Sequence, residues 1–412
     1  IILGIQSHNS LREVPVDQID LVVHVVDLSL VPRILKEAAE KAAKCMVIVS
    51  GGGREQQTRE RIALENEIRK LARKYDIRII GPNCIGLFSG RSGFDTFFQS
   101  RKRMLRPKCD SNNIANFLTQ SGTVGCSFLE FAAENGLSVS KFVSYGNRVD
   151  ISEAELIYDF AEDAKVIGIY VEGIEQGREL ISAISSIKVP VVILKGGRTL
   201  KGAQASISHT GWHGGSWEIT KGALRQAGTL ITYDYRSFFA AIRALAAAPC
   251  FPKGKRVALL SNGAGPMVSA IDWILESSLE MATFEEKTIK KLTEAYPAFY
   301  QVQNPIDLTG SATAEDYQLA IEYLVSDDQV DIIMPWFVMQ DTPLEIQKIF
   351  PVLRDANRQK PVLCGALGGP YTRNRVQELT SLTGVQVFET PVEWVKAAWA
   401  LSKGSEITHK QT

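Results

Sequence analysis

An excess of either charge is missing from this chain: 46 lysines and arginines stand against 46 aspartates and glutamates, and the formal net charge is zero. That balance leaves no electrostatic footprint for nucleic acid or for an anionic membrane surface. No apolar run reaches the length of a membrane-spanning helix. The cysteines (Cys45, Cys84, Cys109, Cys126, Cys250 and Cys364) are scattered without a CxxC pair. This argues against a zinc or disulfide framework and fits reduced thiols in a cytoplasmic protein. A GxGxxG fingerprint with an acidic residue downstream is also lacking, which disfavours a plain dinucleotide-dependent oxidoreductase. No fixed-period repeat is visible. The chain opens at Ile1-Ile-Leu-Gly4 without Met, targeting signal or capping residue, and reads as a sequence entered partway through a domain.

What is present is an ordinary globular composition, 45% hydrophobic and 22% charged, over 412 residues. That length suits about two to four domains. Apolar strand patterns alternate with helical ones throughout. Ile19–Val26, Cys45–Ser50 and Ile77–Ile80 read as strands, with helices over Val31–Lys44 and Arg59–Tyr75. A second α/β segment has strands Ile114–Leu118, Ser140–Tyr145, Val166–Glu172 and Val189–Leu194. The helix from Ser216 and an Ala-rich helix, Tyr235–Ala248, close it. After a Pro- and Gly-containing linker, Pro249–Gly254, a third segment begins with the strand Arg256–Ser261 and continues through Val330–Pro335 and Pro361–Cys364. Continuous apolar strands alternating with helices imply parallel sheets covered on both faces. The expected fold is therefore α/β, three consecutive parallel-sheet domains over residues 1–108, 109–250 and 251–412.

The residues with chemistry sit at the ends of these strands. Lys195 to Gly215 reads as a Gly- and hydroxyl-rich loop with His209 near its middle, and Lys195, Arg198 and Lys201 suit it to an anion. Imidazole can accept a phosphoryl group near neutral pH and pass it on. Taken alone, the stretch reads equally as a strand-to-helix loop with an exposed histidine. His213 follows His209 by four residues, but Gly211, Gly214 and Gly215 argue against a helix that would pair them around a metal, and no carboxylate or thiol completes a ligand set. Gln120-Ser121-Gly122-Thr123 opens a helix, where unbonded N–H groups and two hydroxyls suit a phosphate; the same residues read equally as a plain N-cap. Gly81-Pro82-Asn83-Cys84 follows a strand at its carboxyl end, where open α/β sheets place ligands. Cys84 is a weaker thiol-nucleophile candidate. Asn262–Pro266 looks like another anion loop, with a structural reading favoured.

Ser208-His-Thr-Gly211, with Lys195-Gly-Gly-Arg198 and Gly202-Ala203 before it, closely resembles the phosphohistidine loop of the NDP-forming (ADP-forming) acyl-CoA synthetases, relatives of succinyl-CoA synthetase. The similarity continues in order through Gly81-Pro-Asn-Cys-Ile-Gly86, Gln120-Ser-Gly-Thr-Val-Gly125, Gly146-Asn147, Tyr170-Val-Glu-Gly-Ile174 and Asn304-Pro-Ile-Asp307. The resemblance implies a CoA-binding Rossmann-like domain, its Gly-rich turn lying before Ile1, followed by two flavodoxin-like CoA-ligase domains. It implies His209 as phosphoryl acceptor and Glu172 as the carboxylate that orients it, with Glu175 the rival. Ser121, Gly122, Thr123, Ser208, Thr210 and Gly211 fall on the phosphate side, and Gly81, Asn83, Gly146 and Asn147 on the substrate and CoA side. Trp212 and His213 replace the small residues usual after this histidine motif, which alters the dimensions of the loop. The implied reaction joins a carboxylic acid, CoA and ATP to acyl-CoA, ADP and phosphate. Nucleotide and Mg²⁺ would sit on an ATP-grasp domain, either a β subunit or a fused continuation, in a hetero- or homo-oligomer. Two other readings are a non-catalytic acyl-CoA-sensing module of a protein acetyltransferase, and a carbamoyl- or acyl-transfer protein of the same superfamily.

Overall fold

The structure is a computed structural model that describes residues 4–109, 112–210 and 216–409, excepting the side chains of residues 207–210 and 409. Two compact units result, Ile1–Ile231 and Thr232–Thr412.

The first unit begins with a three-stranded parallel sheet, β1 (Leu21–His24), β2 (Cys45–Ile48) and β3 (Arg78–Ile80), joined through helices α1 (Val31–Glu40) and α2 (Arg59–Tyr75). Leu35, Ala38, Met46, Ile48, Ile68 and Ile79 form its core. Thr58 caps α2, its hydroxyl accepting from the Arg61 amide, and Asp76 ends the helix in the left-handed region.

Next comes a six-stranded sheet. Its strands are β4 (Gly86–Ser89), β5 (Ala115–Thr119), β6 (Lys141–Ser144), β7 (Val166–Val171), β8 (Val191–Lys195) and β9 (Leu230–Thr232), in spatial order β4-β6-β5-β7-β8-β9. The connecting helices are α3 (Gly122–Glu134), α4 (Glu153–Ala161), α5 (Gly177–Ser186), α6 (Leu200–Thr210) and α7 (Trp217–Gln226). Every residue of β5 and β8 is buried, as expected for strands covered on both faces.

Two expectations are corrected here. The parallel reading missed β4, which runs antiparallel to β6 with Gly86 opposite Ser144. The chain turns back at Gly86, whose φ of +101° suits glycine and whose Cβ would lie 2.1 Å from the Thr96 hydroxyl. The edge strand then alternates buried and half-buried residues, a pattern too short to read from sequence. The second correction concerns Lys195–Gly215, which is not all loop: Leu200–Thr210 is helix α6. Thr199 starts it, with its hydroxyl accepting from the Gly202 amide (3.1 Å) and its carbonyl from the Ala203 amide (2.7 Å). The glycines and hydroxyls suggested a loop, but the Leu-Lys-Gly-Ala-Gln-Ala run after a capping threonine is adequate helix former.

The second unit repeats the plan. After α8 (Tyr235–Ala247) come β10 (Arg256–Ser261), α9 (Ala264–Leu275), β11 (Glu280–Met281), α10 (Glu286–Ala295), β12 (Ile306–Asp307), α11 (Ala314–Ser326) and β13 (Ile332–Trp336). The remaining elements are α12 (Phe350–Asn357), β14 (Leu363–Gly365), α13 (Pro370–Thr383), β15 (Gln386–Phe388) and α14 (Pro391–His409). The sheet order is β11-β10-β13-β14-β15, with β12 also paired to β10. The Ala-rich helix, α8, packs along α14 within the second unit.

Candidate functional site

In the six-stranded sheet the chain lays down β5, moves to one side for β6, then crosses to the other side for β7 and β8. The point of reversal lies between β5 and β7, and open α/β sheets leave their ligand crevice at the carboxyl ends of such strands. Gln120–Thr123 follows β5, Gly146 and Asn147 follow β6, Glu172 follows β7, and α6 leaves β8. Four adjacent parallel strands thus bring the sequence candidates to one edge.

The start of α3 is open. Thr119 shapes the turn: its hydroxyl accepts from the Ser121 amide (3.1 Å) and donates to the Ser121 carbonyl (2.7 Å). Ser121 sits at the N-cap but its side chain caps nothing. The first intrahelical bond is Gly125 N–H to the Ser121 carbonyl, so the amides of Gly122, Thr123 and Val124 have no partner among the described residues. Gly122 allows the helix to begin tight against Ile85, whose Cγ2 would lie 2.6 Å from an added Cβ. Ser121 is buried and Thr123 exposed.

Glu172 is 6% exposed at the end of β7. Tyr170 donates its hydroxyl to Glu172 Oε1 at 3.2 Å. The backbone there is held by Gln120, whose Oε1 accepts from the amides of Glu172 (2.8 Å) and Gly173 (3.1 Å). Gln120 is 3% exposed, and its Nε2 has no hydrogen-bond partner among the described residues. Sequence reading passed over Gln120 as the first letter of a motif.

Lys195 was read as an anion-holding charge of the loop, and the structure corrects this. Its ammonium group is buried and donates to the carbonyls of Glu172 and Gly196, tying the ends of β7 and β8 together. Burial pushes the ammonium down to about 8, with the Glu172 carboxylate pulling the other way. The signal was available: a lysine that closes a wholly apolar strand is anchored by the strand. Gly196 admits the close approach, since a Cβ there would lie 2.9 Å from the Tyr170 hydroxyl.

The Gly81–Gly86 turn meets the Gly146-Asn147 turn directly. The Asn147 amide donates to the Pro82 carbonyl (2.9 Å), and a Cβ on Gly146 would lie 2.1 Å from that carbonyl. Asn147 Nδ2 donates to Glu55 (2.7 Å) and Glu65 (2.8 Å), and its Oδ1 accepts from Asn83 Nδ2 at 3.4 Å. The Asn147 side chain is thus occupied within the fold. Asn83, with φ of +59°, and Gly81, with φ of +103°, shape the facing turn. Cys84 is buried against the Ile48 carbonyl (3.3 Å), and desolvation pushes its thiol up to about 12, which removes it as a nucleophile. Glu175 is exposed and lines a cavity of about 100 Å³ with Arg69, Arg73 and Arg148.

His209 lies near the end of α6, and α6 rests against the Arg54–Gln56 turn. The side chains of Ser208, His209 and Thr210, together with Gly211, Trp212 and His213, lie outside the described residues. Among the described residues no group of three or more His, Cys, Asp or Glu side chains is placed to hold a metal ion. No described helix is long and apolar enough to cross a membrane.

Two family descriptions match the chain: a CoA binding domain over residues 1–89 and a succinyl-CoA ligase like flavodoxin domain over residues 112–245. The chain is 34% identical over 411 residues to the α subunit of acetate–CoA ligase [ADP-forming] II from Pyrococcus furiosus, covering 97% of this chain and 86% of that one. It is 32% identical to acetate–CoA ligase [ADP-forming] I from Archaeoglobus fulgidus, covering all of this chain and 58% of that longer protein. Among solved structures, the dinucleotide forming acetyl-coenzyme A synthetase 1 of Ca. Korarchaeum cryptofilum, in complex with phosphate and ADP, superposes with a TM-score of 0.88 at 27% identity. That match covers 100% of this chain and 88% of that one.

Proposed function

The chain belongs to the ADP-forming acyl-CoA synthetases, and from that premise we propose that it is the α-type part of an enzyme interconverting acyl-CoA, ADP and phosphate with carboxylic acid, CoA and ATP. In the direction of ATP formation, a phosphate oxygen attacks the thioester carbonyl, the C–S bond breaks, and CoA leaves as the thiol after taking a proton. The acyl phosphate then meets His209. Nε2 attacks phosphorus, the P–O bond breaks, and the carboxylate departs. The phosphohistidine finally gives its phosphoryl group to ADP.

The observation that carries this reading is the opened start of α3 beside the strand end bearing Glu172. Three amides at a helix N-terminus that have no partner among the described residues offer fixed donors to an anion, and fixed donors lower a barrier because they need no reordering during the reaction. Glu172 is our candidate for fixing the imidazole: a carboxylate on Nδ1–H selects the tautomer whose Nε2 is nucleophilic. We assign Ser121, Gly122 and Thr123, with Ser208, Thr210 and Gly211, to the phosphate. Gly81, Asn83, Gly146 and Asn147 form the CoA and acyl side, the two asparagines by shaping the paired turns. The nucleotide and its Mg²⁺ belong on an ATP-grasp domain. Relatives named both as a subunit and as a longer single chain support either a separate β subunit or a fused continuation. We further propose a cytoplasmic location and an oligomeric enzyme.

Labelling tests the scheme. With the ATP-grasp counterpart, Mg²⁺ and γ-labelled ATP, the wild-type chain takes up an acid-labile phosphate and His209→Asn takes up none. Glu172→Gln keeps the fold and slows labelling on the order of 10²-fold or more. Equal labelling of His209→Asn would sink the mechanism.

A further inference from the structure

The side-chain amide of Gln120 is held at one end only. Its Oε1 accepts two backbone N–H groups just past the end of β7, which fixes which edge of the amide faces that strand. Its Nε2, on the same carbon, carries two hydrogens, is buried, and has no partner among the described residues. A buried donor left unsatisfied destabilises a fold, so such groups are rare and require an explanation.

The second unit shows what completes the arrangement. β10 occupies the place of β5 in its sheet, beside β13 as β5 is beside β7. Asn262 follows β10 as Gln120 follows β5. Its Oδ1 accepts from the Val338 amide (2.8 Å) just past β13, as Gln120 Oε1 accepts past β7. Its Nδ2, however, is fully engaged: it donates to the Val338 carbonyl (3.0 Å) and to the carboxylate of Asp341 (2.6 Å). Where the second unit supplies an anionic oxygen from its own chain, the described residues of the first supply none.

We propose that Gln120 Nε2 is a ligand donor, bonding an anionic oxygen of the phosphoryl group in transit at the start of α3. This rests on the phosphoryl-transfer reading above and adds a residue to it. An oxygen held by Gln120 and the α3 amides would be gripped by a side chain and by backbone at once, and the Gln120 link would pass directly to the backbone of Glu172. The shared chemistry is an oxyanion acceptor. The acyl carboxylate is the rival source, and the experiment separates the two.

The test is Gln120→Glu, which keeps the acceptor that Glu172 and Gly173 need and replaces the donor by a second oxygen. Inorganic phosphate and sulfate are titrated into the full chain, and binding is read by thermal shift, since a ligand of the folded state raises its stability. Phosphate binding should fall about tenfold to a hundredfold near pH 8, as for loss of a hydrogen bond to a charged group. The sulfate defect should shrink toward about pH 4, where much of the glutamate is protonated and donates again. In the assembled enzyme the KM for phosphate rises while that for the acid is unchanged. Should the variant not fold, selective ¹⁵N-glutamine labelling of the wild type reads the same contact, because the Gln120 NH₂ pair must shift on adding phosphate. Equal phosphate binding by both proteins, or a silent Gln120 resonance, overturns the proposal. A rise confined to the KM for the acid assigns the donor to the acyl carboxylate and overturns the phosphoryl assignment. Absence of label on wild-type His209 would instead defeat the phosphohistidine reading while leaving phosphate binding at Gln120 measurable.

Discussion

Thr119 bonds with its hydroxyl to both the amide and the carbonyl of Ser121; Ser261 does the same with Gly263, at 2.9 and 2.8 Å. An amide side chain comes next in each turn, then a small residue, then a helix. The two turns differ in what happens to their polar atoms. Asn262 bonds with Val338, Asp341 and the Tyr317 hydroxyl, which donates to its Oδ1 at 2.9 Å, and it is closed to any ligand. Among the described residues, Gln120 keeps a donor without a partner and the first α3 amides are open. One local design thus serves as a structural staple in one unit and as a candidate binding site in the other. Satisfaction of the hydrogen bonds tells them apart, and the glycines do not.

The largest effect expected from this contrast is on stability. Asn262→Ala leaves the Val338 amide and the Asp341 carboxylate without their side-chain partner, whereas the Tyr317 hydroxyl keeps the Trp336 carbonyl and the backbone amide of residue 262, and the change should destabilise the second unit by about 2–3 kcal/mol. Gln120→Ala removes the acceptor of two amides but also an orphan donor, so without phosphate it should cost about half as much. Urea denaturation followed by hydrogen exchange over β10 and β5 measures both. Equal losses would mean that Gln120 is a staple as well.

Much of this was legible in the sequence. Arg256–Ser261 was read to the residue, and β5, β6, β7 and β8 to within two residues at each end, because buried parallel strands are continuous apolar runs bounded by Gly or polar residues. The likeness of the phosphate turn to the Asn262 turn was also visible, and the structural reading of the latter agrees with its bonding. The misses have physical causes. β11, β12 and β15 are two or three residues long and carry no period. The helix α6 was hidden by glycine and serine, whose intrinsic preference the Thr199 cap outweighs. Lys195 looked like a loop charge because its side-chain length allows it to turn back on the strand ends. Gln120 could not have been singled out, since an orphan donor is defined by what surrounds it.

Two glycine substitutions, one at each helix start, sharpen the comparison further. Gly122 and Ala264 occupy the same step of the two turns, the first residue of the helix. Ala264 already carries a Cβ, whereas on Gly122 one would press to 2.6 Å from Ile85 Cγ2. Gly122→Ala should therefore cost about 1–3 kcal/mol as overpacking and displace the α3 amides, weakening phosphate binding as well. Gly265→Ala, with no atom within 4 Å of the added carbon, should be neutral or stabilise by about 0.4–1 kcal/mol. Thermal denaturation of the two variants decides; a tolerated Gly122→Ala would show that the α3 start can shift at little cost.

The smallest effect comes from the cation beside the open turn. Lys195 titrates near 8 in the folded chain because burial disfavours its charge, against 10.5 when unfolded. Below about pH 8 both states hold the proton, and the cost of burying the charge is constant. Between about pH 8 and 10.5 the unfolded chain holds a proton that the folded chain has released, so the stability that this group contributes rises with pH. Lys195→Met removes the titration while keeping most of the side chain's volume. The difference in urea midpoint between wild type and Lys195→Met should thus shift in favour of the wild type from about pH 8 upward, and stay flat below it. Lys360 in the second unit is also pushed down by burial, but it is present in both proteins and cancels in the difference. A difference that stays flat through pH 10 would mean that the bonds to the Glu172 and Gly196 carbonyls hold the charge at its ordinary value. Lys195 would then brace the open turn as a permanent cation at every working pH.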